Sequence, residues 1–224
     1  MNARIHWLAI AAALIGAALL VSPIRRWLEA DMARHMLIEF PLLVAAGYGI
    51  AAVLPAQIRT AIVRLDRLGL VSLALASVSL ALWMIPVALD ATLERPSYAG
   101  AKYVSLFATG VLLHGVTARS PLPIQAFFVG SIAWMMATVG LLYQDAPQAL
   151  CVYYLADMQQ RAGFGLVALA IVGGGAWYLF AAGALKGFGL RVAKARPRRD
   201  QSSQATRVWR LRSHSRRRPP KSCA

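Results

Sequence analysis

Six apolar runs, each close to the length that crosses a bilayer, dominate this sequence and leave few architectures open. They fall at about 5–23, 33–54, 69–90, 100–118, 122–143 and 162–185. A helix rising about 1.5 Å per residue needs about 20 apolar residues to span a hydrocarbon core of about 30 Å. Proline and charge mark the breaks, as at Pro23-Ile24-Arg25-Arg26, Glu94-Arg95-Pro96 and Asp145-Ala146-Pro147. Lipid leaves the edges of an open sheet unsatisfied, and the runs lack the alternation of a membrane barrel, so the spans are helices. The sequence thus predicts an all-α, polytopic transmembrane helix bundle of about six spans in residues 1–185. The first run follows Arg4 as a signal peptide would, but no small-x-small site is obvious where it ends at Val21-Ser22-Pro23 and another span follows at once, so an uncleaved span is expected.

Composition agrees. The chain is 58% hydrophobic and 15% charged, against about 45–50% and about 25% for soluble domains. Of its 24 Lys and Arg, 13 lie in residues 186–224, which leaves 11 against 8 acids in the body. Residues 186–224 read as a disordered basic tail with little to bury. Short-loop charges alone do not orient the bundle. With the tail included, both the N- and C-termini are expected to be cytoplasmic. Beside a span, such a tail is drawn to anionic lipid, and with no recognition fold no specific nucleic-acid contact is expected. Cys151 and Cys223 fall on opposite sides in this topology, so no disulfide between them is expected. Glycines at 47, 49, 110, 115 and 173–175 are expected to let helix backbones approach.

The acids are not scattered. Glu29, Asp31, Glu39, Asp90, Glu94, Asp145 and Asp157 all fall toward the outer side of this topology. Asp31, His35 and Glu39 recur at i, i+4 and i+8, which predicts one helical face, with Met32 and Met36 as a ridge beside it. Glu39 lies inside an apolar run, where an ionised group costs about 2–4 kcal/mol unless paired. Asp90, after Trp83-Met84-Ile85-Pro86, and Asp157 bring carboxylates to the same level. Carboxylate, imidazole and thioether together suit a transition metal, with Met favouring Cu(I), so Asp31, His35, Glu39, Asp90, Asp157 and Met36 form the candidate metal set. The same groups would also serve a proton relay, or pair with Arg34 and Arg161 for structure alone. All three readings stay open at this stage.

Other polar residues read more plainly. Pro41 and Pro86 are expected to kink their helices, His114 to pack, and Tyr153 and Tyr154 to join an interfacial aromatic belt. The chain has no glycine-rich phosphate loop, GxSxG elbow, HExxH or CxxCH motif, so it is not expected to be an enzyme.

Three stretches resemble the cytochrome c oxidase assembly factor CtaG family. Asp31-Met32-Ala33-Arg34-His35-Met36-Leu37-Ile38, with Pro41, is similar to that family's H-M-x-x-H-L-L-L run, with Asp31 at the first histidine position. Trp83-Met84-Ile85-Pro86 resembles its W-W-x-P motif. Asp145-Ala146-Pro147 and Ala156-Asp157-Met158-Gln159-Gln160-Arg161-Ala162-Gly163 resemble its D-x-P-L-Y and A-D-Q-Q-x-x-G stretches. The resemblance implies a bacterial plasma-membrane protein that matures a haem–copper oxidase, handling copper at the extracytoplasmic face. It also implies haem–copper oxidase subunits as partners and carries over His35 and Asp157 as site residues. The competing expectations are a small proton- or ion-coupled transporter and a structural subunit without a metal site.

Overall fold

Proline marks where several helices begin, because its fixed φ suits the first turn and its missing N–H is unneeded there. The computed structural model describes residues 3–146 and 151–195, and these are helical with no strand among them. In chain order the helices are α1 (Ala3–Leu20), α2 (Ser22–Glu29), α3 (Met32–Arg34), a π-helical turn (His35–Glu39), α4 (Phe40–Ala51) and α5 (Ala56–Leu65). Then follow α6 (Leu70–Trp83), α7 (Pro86–Glu94), α8 (Pro96–Leu113), α9 (Val116–Arg119), α10 (Leu122–Asp145) and α11 (Ala156–Ala195). Proline stands at the first or second position of α2, α4, α7, α8 and α10.

Among the described residues, two helices are long and apolar enough to cross a membrane unbroken, Leu122–Asp145 and Ala156–Gly183. Three more crossings arise only if bent pairs each count as one: Ile10–Leu20 with Ser22–Glu29 at 76°, Met32–Ala51 with Ala56–Leu65 at 112°, and Leu70–Trp83 with Pro86–Glu94 at 74°. The chain is therefore an all-helical protein built to sit in a membrane. The fourth apolar run of the sequence is α8, whose Lys102 and polar first turns lower its mean hydropathy, and it is not among these crossings. The break at Pro86 ends α6 at Trp83, as that proline predicts.

At Pro41 the outcome differs from a simple kink. Proline has no N–H to return to the carbonyl four residues back, and the turn just before it widens to the π form over His35–Glu39. Met32 to Ala51 nonetheless continues as one helix.

The chain divides into two units, the first ending at Tyr178 and the second starting at Leu179. Within the first unit, α4 packs most extensively against α8 and then α1. Glycine makes the α4–α8 contact possible. A Cβ added at Gly47 would overlap the carbonyl oxygen of Phe107, and one at Gly110 would overlap that of Val44. Gly140 and Gly163 play the same part between α10 and α11, each lying against the other's carbonyl. Gly173 and Gly175 do not, since an added Cβ there would meet nothing within 4 Å. The backbone of α11 stays helical to Ala195, beyond the boundary expected at 185. The rest of the basic tail, residues 196–224 with His214 and Cys223, lies outside the described residues.

Gly47→Ala should therefore destabilise the protein by about 1–3 kcal/mol, because the clash is with backbone that cannot rotate away. Gly173→Ala should leave the midpoint unchanged or raise it slightly. Thermal unfolding of the two variants in detergent micelles reads the difference.

Candidate functional site

Three acceptors converge on one buried ammonium. Lys102 of α8 has no exposed surface, and its Nζ lies 2.8 Å from Glu39 Oε1, 2.9 Å from His35 Nε2 and 3.2 Å from Glu29 Oε1. The ammonium hydrogen-bonds to His35 and Glu29 and lies against the Glu39 carboxylate as an ion pair. Glu29 ends α2, His35 and Glu39 bracket the π turn, and their side chains meet across it with His35 Nε2 3.5 Å from Glu39 Oε2. The widened turn thus presents two polar side chains to α8 from inside an apolar helix. Arg25 completes the edge, 3.6 Å from Glu29 Oε2.

The hydrogen-bond network assigns the histidine tautomer. Tyr154 gives its only hydroxyl proton to the Glu29 carbonyl at 2.9 Å. Its oxygen then accepts from His35 Nδ1 at 2.8 Å, so Nε2 keeps a lone pair for Lys102. Burial, with Glu29 nearby, pushes the Tyr154 hydroxyl well above the usual phenol range, which keeps that proton in place. Phe40 stacks edge-on to the imidazole at 5.4 Å, and Lys102 Nζ lies 4.9 Å from the centre of the Tyr103 ring.

The six residues expected to form one site occupy several places. His35 and Glu39 are together, fully buried. Asp31 is not on their face: its backbone is extended (φ −136°, ψ 128°), and its carboxylate accepts the Ala33 and Arg34 amides at 2.9 and 3.2 Å. It is an N-cap, and a cap stands outside the helical periodicity. Met36 is buried and lines an apolar cavity with Met84 and Met136, outside the set of three donors. Asp90 accepts the Val152 amide at 2.8 Å. Asp157 pairs with Arg161 at 2.6 Å, both largely exposed, while Arg34 lies over the Trp27 ring.

Sequence reasoning passed over Glu29, Lys102 and Tyr154 as site residues. The segment 151–155 ties the outer acids together: Val152 bonds Asp90, Tyr153 bonds Glu94 at 3.2 Å and Tyr154 bonds His35. Tyr154 is thus a buried partner of the histidine rather than part of an aromatic belt. Cys151 in this segment is a free, buried thiol whose pKa is pushed up to about 12 by burial and by Asp90. It is no ready thiolate ligand.

The ligand atoms of Glu29, His35 and Glu39 lie within 4.8 Å of one another, a spacing that could hold a metal ion. One imidazole and two carboxylates suit a divalent ion better than Cu(I), which prefers sulfur. The Lys102 ammonium, however, contacts the same three residues. The donors fit a cation, and the chain supplies its own.

Removing that ammonium leaves the fully buried Glu39 carboxylate uncompensated. Lys102→Met should therefore cost about 3–5 kcal/mol, and adding Glu39→Gln should recover part of the loss. Thermal midpoints of the single and double variants in detergent check both. No protein-family model, no curated protein and no solved structure matches this chain.

Proposed function

We propose that this chain is a non-enzymatic membrane protein of the oxidase-assembly kind, whose Glu29–His35–Glu39 cluster is a cation site that Lys102 occupies until a divalent metal displaces it. One observation carries the reading: a single ammonium is held by an imidazole nitrogen and two carboxylates, donor types that also bind metals. Lys102 and a metal ion are then alternatives, because two cations cannot share acceptors so close together in a low-dielectric setting. The chemistry a bound ion would supply is delivery of the metal itself. Glu29, His35 and Glu39 would hold it, and Tyr154 would fix the imidazole from the far side, as outer partners of metal-bound histidines do.

In this reading the bent pairs each cross the bacterial plasma membrane, and α8 makes the sixth crossing with its lysine neutralised by carboxylates. Both termini are then cytoplasmic and the cluster faces the extracytoplasmic side. Its partners are the lipid bilayer and haem–copper oxidase subunits. A transporter is the weaker reading. It needs polar groups through mid-membrane, whereas the cavity between α4, α6, α10 and α11 is almost wholly apolar, lined by residues such as Phe40, Leu80, Ile132 and Leu169.

The test is metal retention by full-length protein in detergent after loading with Cu(II) or Zn(II) and desalting. Lys102→Met should retain metal about tenfold more tightly than wild type and regain thermal stability when loaded. His35→Ala should retain almost none. Equal metal in all three proteins would defeat the cation-site reading. Loss of the gene should also lower haem–copper oxidase activity in the source cell in a copper-dependent way, measured as cytochrome c oxidation by its membranes.

A further inference from the structure

A second polar site lies at the other end of the helix Met32–Ala51. A cavity of about 560 Å³ opens between the end of α4, the length of α5 and the turn from α8 to α9, lined by Arg59, Thr60, Arg64, His114 and Arg119 among others. It holds three guanidinium groups and no carboxylate. Ala51, on its wall, lies about 24 Å along the helix axis from His35 at about 1.5 Å per residue, so this site is independent of the lysine cluster.

Its donors lack acceptors. Arg119 bonds the His114 carbonyl through Nη1 at 3.4 Å, but its Nε and Nη2 are inaccessible and without a hydrogen-bond partner. His114 Nδ1 is in the same condition, its ring packed against Tyr48 at 4.9 Å. Buried donors are nearly always satisfied, so these call for a group that the described residues do not supply. The nearest acid does not provide it. Asp66 lies close enough to feel Arg119, yet it spends its oxygens on the Val71 and Ser72 amides at 3.3 and 2.8 Å.

The geometry of α5 says what kind of anion fits. This helix turns 112° from Met32–Ala51 and buries none of its residues. Ile58, Val63 and Leu65 are exposed beside Arg59 and Arg64. An amphipathic helix lying across the end of a spanning helix belongs in the headgroup layer, with its apolar side toward acyl chains. Guanidinium groups pair with phosphate through two parallel bonds. We propose that this cavity binds the phosphate of an anionic phospholipid, with Arg119 and His114 at its floor and Arg59 and Arg64 at its mouth.

The test uses full-length protein, tail included, so that any attraction by the tail is common to every sample. Native mass spectrometry in detergent titrates phosphatidylglycerol and phosphatidylcholine against wild type and against the Arg59→Gln, Arg64→Gln, Arg119→Gln triple variant. Wild type should prefer phosphatidylglycerol by about tenfold, and the triple variant should lose most of that preference. Replacing Arg59 and Arg64 with lysine, which keeps the charge, should retain part of it. Inorganic phosphate is titrated in parallel: a rise in wild-type thermal midpoint that the triple variant lacks would support the phosphate site with a free anion as its source. The proposal falls if wild type shows neither lipid preference nor phosphate response, or if the triple variant keeps both. Its fate is separate from that of the metal reading, because none of these substitutions touches the lysine cluster.

Discussion

One ammonium ion ties three separate parts of the chain to a common point. Lys102 ties the end of α2, the π turn and α8 through contacts of 2.8–3.2 Å. In water such pairs contribute little. In an apolar setting they cost heavily unless every partner is in place, and here the ammonium meets two carboxylates and an imidazole at once. Met32, Leu28, Phe40, Leu106 and Tyr143 are all almost fully buried in one apolar core.

The other outer acids are engaged differently, and the difference is physical. Asp31 accepts amides two and three residues on and Asp157 pairs with Arg161 four residues on, so both are settled locally, whereas Asp90 accepts the amide of Val152, 62 residues away. Glu29 has Arg25 four residues back, yet it shares with the fully buried Glu39 a lysine 73 or 63 residues away in sequence.

Much of the fold could be read in advance, because helicity in lipid follows from length and apolarity alone. Gly47 and Gly110 were readable as small residues, and both sit at the closest helix crossing. His35 and Glu39 were readable too, since an i, i+4 pair inside an apolar run is a local signal. Their partner was not. Lys102 looked like a loop charge because it lies near the start of a run, and pairing across elements leaves no mark in periodicity. One clue was available: a buried acid and a buried base in two spans at a similar depth satisfy each other. Asp31 misled for the opposite reason, because a capping residue mimics helical spacing while lying outside the helix.

The spacing along α4 and α8 carries a further consequence. Glu39 precedes Gly47 by eight positions, and Lys102 precedes Gly110 by the same number. The two rods thus run in the same direction, and matched marks fasten them twice, once by charge and once by backbone contact. Sliding one rod past the other by a single turn, about 5.4 Å, would undo both fastenings together. The assembly behaves like a ratchet with one seated tooth, and an insertion or deletion between either pair of marks would unseat it.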